Sequence, residues 1–341
     1  AAVGSQPMFH KSDRLPAAAP LQRGAALLLA LLTVALVTTL AAAALWQQWR
    51  AVEVEAAERT RVQARWILTG ALDWARLILR EDARAGGADH LAEPWAVPLA
   101  EARLSSFLAA GSDLDGLAPV TFLSGQINDL QARLNVINLL DTQDPKQPAL
   151  AAFTRLFRLL DLPQAELTGL VTALRQTQNA SGPAALLPQR ADQLEVLGLS
   201  AATLARLLPY ITLLPIATPV NLNSASAEVI YASFDTLELD QARTLVRLRA
   251  LAHLSSLADA GARLNVLQNQ LSETRHSVSS RHFEVLGTLR LGPLVLRERS
   301  LLQRNGLAVQ VLWRQYWSGP PAAVGTPASV ANDTLTRPAA P

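Results

Sequence analysis

Arg23-Gly24-Ala25-Ala26-Leu27-Leu28-Leu29-Ala30-Leu31-Leu32-Thr33-Val34-Ala35-Leu36-Val37-Thr38-Thr39-Leu40-Ala41-Ala42-Ala43-Ala44-Leu45 decides how this chain is organised. A basic residue and a glycine stand directly before about twenty apolar residues with no charge among them. At about 1.5 Å rise per residue the run spans about 30 Å as a helix, the thickness of a bilayer core. Its only polar side chains are the hydroxyls of Thr33, Thr38 and Thr39, which can bond back to helix carbonyls. The chain is expected to enter a membrane once, near its start.

Upstream, Lys11, Arg14 and Arg23 stand against one acid, Asp13. That bias holds the N-terminus in the cytoplasm and sends the remainder outward. A cleaved secretory signal competes with a retained anchor, and Ala42-Ala43-Ala44 offers it a small-residue cleavage site. The retained anchor is favoured for three reasons. The apolar run exceeds a usual signal core, the preceding stretch is long for an n-region, and helix-forming sequence continues without Gly or Pro until Gly70.

The chain has 341 residues, enough for an anchor and one or two modest domains. It has no cysteine, so no disulfide or thiol chemistry. A net charge of +2 does not by itself imply nucleic acid.

Beyond the apolar run, residues 46–84 read as an amphipathic stem. Trp46, Trp49, Val52 and Ala56 recur at helical spacing, as do Val62, Trp66, Gly70, Trp74 and Ile78. The distal stripe is expected to pack on the chain's own head, the proximal one on neighbouring helices. Trp46 and Trp49 also suit a membrane–water interface. Gly86-Gly87 ends the helix. A strand is expected from Val120 toward Ile127.

Residues 146–275 are nearly all helical pattern, with helices at Ala149–Leu160, Gln164–Leu174, Ala191–Leu197, Ala201–Leu208, Ser224–Ser233 and Leu239–Arg249. Leu194 to Ala205 resembles a helix-hairpin-helix turn, and a second helix pair starts at Asn221. Ala-Arg-Leu-Asn-Val occurs at 132–136 and at 262–266, too short a match to argue a repeat. Residues 278–315 switch to strand alternation, with Leu307, Val309, Val311 and Trp313 on alternate positions and turns at Gly292-Pro293 and Asn305-Gly306. This meander is thin alone and is expected to pair with the early strand. The fold class is therefore α+β: a long N-terminal transmembrane and stem helix, then a small antiparallel-sheet domain interrupted by a large all-α insert with helix-hairpin-helix-like units. The boundaries read as a leader at 1–24, a transmembrane helix at 25–45 and a stem at 46–84. A discontinuous α/β domain follows at 85–145 and 276–317, with the insert at 146–275 and a disordered tail at 318–341.

No catalytic pattern stands out. His10, His90, His253, His276 and His282 form no H-E-x-x-H pair and have no zinc-ligand spacing. There is no G-x-S-x-G, P-loop or G-x-G-x-x-G, so no enzyme is expected. Asp113-Leu-Asp115-Gly116 has half of a calcium loop and reads as a polar turn. The hairpin near Gly198 could bind DNA phosphates through backbone N–H groups. With one glycine there and only acids at Leu237-Glu238-Leu239-Asp240, a packing role is preferred.

Together these parts resemble the minor pseudopilin K family of the bacterial type II secretion system, also called general secretion pathway protein K. The resemblance runs from Arg23 to about Arg314. Arg23 to Leu29 resembles a prepilin peptidase site. Ala71 to Ala75, Glu93-Pro94-Trp95-Ala96, Asp129 to Asn138, Pro219 to Ala225, Ser280 to Phe283 and the last strand to Arg314 resemble family positions in order. The resemblance implies cleavage between Gly24 and Ala25 and N-methylation of Ala25. Pilin-like proteins usually carry Glu five residues after the cut; here Leu29 stands there, as the family's tip position accommodates. The implied partners are minor pseudopilins I, J and H, the major pseudopilin, the inner-membrane assembly platform and prepilin peptidase. The implied role is capping the pseudopilus tip and initiating its assembly, in the bacterial inner membrane as a single-pass protein with its bulk in the periplasm. Family members often bind calcium through an acidic stretch of the insert. Leu174 to Pro183 corresponds to it and has no acid, so that site is expected to be lost and no cofactor is expected. A membrane-anchored DNA receptor and a type IV pilus minor pilin are the alternatives.

Overall fold

The computed structural model describes residues 23–104, 121–141, 146–179, 188–264, 270–292 and 294–318. The leader up to 22, the half-calcium-loop at 113–116 and the tail beyond Ser318 lie outside them. The chain divides into two units, Ala1–Thr60 and Arg61–Pro341.

In the first unit the described residues belong to helix α1 (Arg23–Ala85), and none of their side chains from Gly24 to Thr60 is buried. Thr33, Thr38 and Thr39 hydroxyls donate to the carbonyls of Ala30, Ala35 and Leu36 at 2.8, 2.9 and 2.8 Å. No hydroxyl is left wanting a partner in an apolar surround. Helix α1 is long and apolar enough to cross a membrane.

The second unit opens with the rest of α1. Its buried stripe is Ala64, Leu68, Leu72, Ala75 and Leu79, at steps of four, four, three and four. This corrects the sequence expectation. Val62, Trp66, Gly70 and Trp74 are exposed, and Ile78 is only half-buried. The helix presents two apolar faces, and the one with small residues wins the sheet because it permits close approach. A Cβ on Gly287 of the sheet would already sit 3.2 Å from the Leu68 Cδ2. The helix ends where Gly86 adopts φ 69°, a left-handed conformation that favours glycine.

After α1 come strand β1 (Leu99–Arg103), β2 (Thr121–Asp129) and the short β3 (Leu134–Asn135). The helical block follows: α2 (Pro148–Leu159), α3 (Gln164–Asn179), a 3-10 turn at Ala191–Leu197 and α4 (Ala201–Leu207). It continues through β4 (Ile211–Thr212), β5 (Val220–Asn221), α5 (Ala227–Ser233), α6 (Leu239–Leu251) and α7 (Leu257–Leu264). The chain then returns as β6 (His276–Ser277), β7 (His282–Leu291), β8 (Leu294–Asn305) and β9 (Ala308–Ser318). Helix α7 and strand β1 have no counterpart in the sequence reading, and β9 reaches Ser318, which had been assigned to the tail.

The antiparallel sheet has the order β1-β2-β7-β8-β9. Strand β2, before the helical block, pairs along its whole length with β7, after it, from Thr121↔Leu291 to Asp129↔Phe283. The block is not purely helical, as two parallel bridges tie it to its flanks: β3 with β4, and β5 with β6.

One face of the sheet packs on α1. Leu72, Ala75 and Leu79 meet Trp95, Phe283, Val285, Leu302 and Val309, while Ala64 and Leu68 meet Leu123, Leu289 and Leu296. The helical block has its own larger core around Phe153, Phe157, Leu174, Leu194, Leu207 and Phe234. A small apolar cluster, Leu130, Leu214 and Leu301 with Trp313, joins the block to the other sheet face. Trp313 reaches that face through a bulge. Leu301 pairs with Trp313 but Leu302 with Val311, so Leu312 is the extra residue. Strict alternation would have kept Trp313 beside Val309 and Val311; the bulge turns it over.

Candidate functional site

Three of the segments of family resemblance, Asp129 to Asn138, Pro219 to Ala225 and Ser280 to Phe283, meet in one buried polar junction between the sheet and the helical block. Asp129, the last residue of β2, is its centre. Asp129 Oδ2 accepts from Asn221 Nδ2 at 3.0 Å, from Ser280 Oγ at 2.7 Å and from Ser224 Oγ. Its Oδ1 accepts from the Gln131 N–H at 2.8 Å, capping the turn that follows. Burial raises the Asp129 carboxyl above the usual range, and the Ser224 and Ser280 hydroxyls oppose that rise.

Outward from Asp129, Gln131 accepts at Oε1 from the Arg281 N–H at 2.7 Å and donates to the Pro219 carbonyl at 3.2 Å. Asn135 donates to the Ile216 carbonyl at 2.8 Å and accepts from the Leu214 N–H at 3.1 Å. Asn138 donates to the Thr218 carbonyl at 2.8 Å and accepts from the Thr218 N–H at 3.1 Å. Asn223 holds Leu254 the same way, at 2.9 and 2.8 Å. Asparagine recurs because its amide offers donor and acceptor together, the pair that a peptide unit in a non-repetitive loop lacks. From the sequence Asn223 or Ser224 can cap the helix that follows; Ser226 caps α5 instead, accepting from the Val229 N–H at 3.3 Å.

A second group adjoins it. Asp82, Asp89 and Glu93 bring carboxylate oxygens within 4.8 Å of one another. Arg304 supplies the cation there, donating to Asp82 at 2.6 Å and also to Asp89. Asp89 further accepts from the Ser280 N–H at 2.6 Å, and Glu93 accepts from Trp95 Nε1 at 2.7 Å. Trp95 in turn meets Phe283 edge-on at 5.3 Å. Burial raises both Asp82 and Asp89, with Glu93 adding to Asp82 and Arg304 opposing in each. None of these acids was singled out from the sequence except Glu93, because the cation that gathers them, Arg304, stands far along the chain.

The sequence-expected processing residues lie elsewhere. Gly24 and Ala25 are exposed in the first turn of α1, and Leu29 is exposed on the same helix. In the stretch where the family resemblance led calcium ligands to be looked for, Leu174 to Asn179 form the end of α3 with no carboxylate, and Leu174 is fully buried. That donor set does not fit a hard cation, which needs several oxygen ligands. Residues 180–183 of that stretch lie outside the described residues.

The hairpin turn near Gly198 does form, with Gly198 at φ 94° and Ser200 capping α4. Its donors are already used. Ser200 gives its N–H to Glu166 at 2.9 Å and its hydroxyl at 3.1 Å. The Ser200 N–H is what first holds the Glu166 carboxyl below its usual range.

Comparison with known proteins falls on the same parts. Family models described as type II secretion system (T2SS), protein K match residues 132–216 and 220–279. Type II secretion system protein K of Pseudomonas aeruginosa is 29% identical over 311 residues, covering 83% of this chain and 89% of that protein. That of Klebsiella pneumoniae is 29% identical over 328 residues, covering 86% and 96%. A chain in the crystal structure of the GspK-GspI-GspJ complex from the type 2 secretion system of enterotoxigenic Escherichia coli superposes with a TM-score of 0.63. It is 20% identical and covers 78% of this chain and 99% of its own, which shows the fold. Family-model matches across the helical block, and relatives that align over most of the chain, bear out the resemblance to type II secretion system protein K.

Proposed function

We propose that this chain is a non-enzymatic assembly subunit, a minor pseudopilin that caps the tip of the pseudopilus and initiates its assembly. One observation carries the reading: helix α1 bears two apolar surfaces that nothing among the described residues covers. From Leu27 to Leu45 every side chain is exposed. Farther along, Trp66 and Trp74 are 72% and 64% exposed on the face away from the sheet. Exposed apolar area of this extent on one helix needs a membrane or another subunit.

On this reading the leader is cut between Gly24 and Ala25, and the new Ala25 amine is methylated. The apolar segment then holds the subunit in the bacterial inner membrane, N-terminus in the cytoplasm and bulk in the periplasm. Leu29 carries no carboxylate that would want the amine of a subunit above, which suits the end of a filament. Minor pseudopilins I and J are the neighbours on the Trp66–Trp74 side. Minor pseudopilin H, the major pseudopilin, the assembly platform and prepilin peptidase complete the set. The stretch from Leu174 to Pro183 holds no calcium.

N-terminal sequencing of membrane-extracted protein tests the processing; Ala25 is expected first, and Leu45 would mean that signal peptidase had removed the anchor. Co-purification tests the assembly: stoichiometric recovery with I and J is expected, and recovery alone from cells that contain both would overturn it. A DNA receptor is disfavoured by Glu166, whose carboxylate occupies the N–H that a phosphate would need. A gel shift that weakens steeply with salt would revive that alternative.

A further inference from the structure

The second face of the sheet and the helical block enclose a cavity of about 90 Å³. One water needs only about 10–15 Å³ by such a measure, so the space holds a small polyatomic ligand. Its wall carries three guanidinium groups, Arg133, Arg190 and Arg299, against two carboxylates, Asp192 and Glu284.

Both carboxylates are already committed. Asp192 accepts from Arg190 at 2.9 Å and from Arg299 at 3.3 Å. Glu284 accepts from the Arg299 Nε and from Asn128 Nδ2, the latter at 3.3 Å. Arg133 is left over. Among the described residues it makes no hydrogen bond and no ion pair, although Glu284 lies near enough to attract it. Burial pulls its guanidinium below the usual range, and Arg299 adds to that. Arg133 is half-buried, and a partly desolvated guanidinium without a partner is a costly group for a fold to keep. A second donor is also unsatisfied on the same wall. The indole Nε1 of Trp313 is shut off from solvent and has no acceptor, and the β9 bulge is what turns this ring to the cavity side.

We infer that this cavity is a binding site for a small oxyanion, a phosphate or a carboxylate, held by Arg133 and the Trp313 indole. The excess positive charge fits one anion, and two unsatisfied donors fit its oxygens. Glu284 and Asp192 limit repulsion by being neutralised in place through Arg299 and Arg190. The anion closes the seam between sheet and helical block, because Arg133 follows β2 while Trp313 stands on β9.

The test uses the full chain in detergent micelles, titrated with sodium phosphate and separately with sodium acetate at constant ionic strength. The indole N–H resonance of Trp313, assigned through Trp313→Phe, reports on the site, and thermal unfolding reports on the seam. Saturable movement of that resonance and a rise in Tm are expected with at least one anion. The tighter of the two tells a tetrahedral from a planar ligand. Arg133→Met should weaken binding roughly tenfold or more, and Trp313→Phe, read by Tm, about fivefold. No saturable response to either anion would overturn the inference. So would equal Tm responses from the unsubstituted protein, Arg133→Met and Trp313→Phe, which place the anion elsewhere.

Discussion

Two stretches of the same helix behave differently. From Gly24 to Thr60 no side chain is buried, although the stretch is rich in leucine and alanine. From Arg61 to Ala85 the composition is more polar, yet Ala64, Leu68, Leu72, Ala75 and Leu79 are almost wholly enclosed. Burial here follows neither hydrophobicity nor residue size. It follows whether a complementary surface is present among the described residues. Where one is, small residues let the sheet approach; where none is, the apolar surface suits a bilayer or a neighbour.

The largest expected effect lies at the junction that anchors the buried stretch. Asp129→Ala leaves Asn221, Ser224, Ser280 and the Gln131 N–H without their shared acceptor. A loss of about 3–5 kcal/mol is expected in urea unfolding of the full chain. A loss below about 1 kcal/mol would mean that water replaces the carboxylate there and that the junction is not what fixes the block. The next contrast is within the helix. Leu68→Ala should cost about 2–5 kcal/mol, while the same change at Leu36 should alter unfolding by no more than about 0.5 kcal/mol. Equal costs would erase the distinction between the two stretches.

Acid sharpens it further. Burial holds His276 and His282 at pKa values of about 4, from an ordinary 6.5. His276 sits on Phe234 at 4.2 Å with its Nε2 3.1 Å from the Ser233 carbonyl, and takes the Ser272 N–H at Nδ1, so its neutral form is the satisfied one. Below pH 6.5 the unfolded chain takes up protons that these rings refuse. Stability should therefore fall as pH drops from 6.5 to 4, by on the order of 2–3 kcal/mol for each ring. Asp82, Asp89 and Asp129, all raised by burial, work in the opposite sense, so the effect is read by difference. His276→Gln should flatten the slope; an unchanged slope would assign it to other groups. The smallest effect on stability belongs to the exposed face. Trp66→Ala should leave unfolding within about 0.5 kcal/mol, yet reduce recovery with the partner subunits. A change in unfolding without a change in recovery would show that this face serves the fold rather than an assembly.

The α+β class, the apolar rod, the helical insert and the late meander were legible, because each is a periodicity carried by neighbouring residues. The buried stripe of the stem was not. Val62-Trp66-Gly70-Trp74 and Ala64-Leu68-Leu72-Ala75 both keep helical spacing, and only the partner surface chooses between them. Strand β1 was missed because Leu-Ala-Glu-Ala-Arg at 99–103 has little strand character and is mostly exposed, held by the edge of β2. The junction was legible only as a set of segments. Asp129, Asn221, Ser224 and Ser280 stood in quoted stretches, but nothing local says that the Asp129 carboxylate collects the other three.

By itself the sequence determined what each stretch must avoid: water for Ala25 to Leu45, an unpaired backbone for the asparagine-rich turns, helix beyond Gly86. These are local transfer and conformational energies, and they need no partner to be evaluated. Tertiary structure alone decided which face of the stem is covered, where Trp313 points after the bulge, and that Arg133 lacks the acceptor its neighbours share. Those outcomes depend on the approach of surfaces far apart along the chain, whose fit is a property of shape and remaining hydrogen-bond capacity rather than of any one segment.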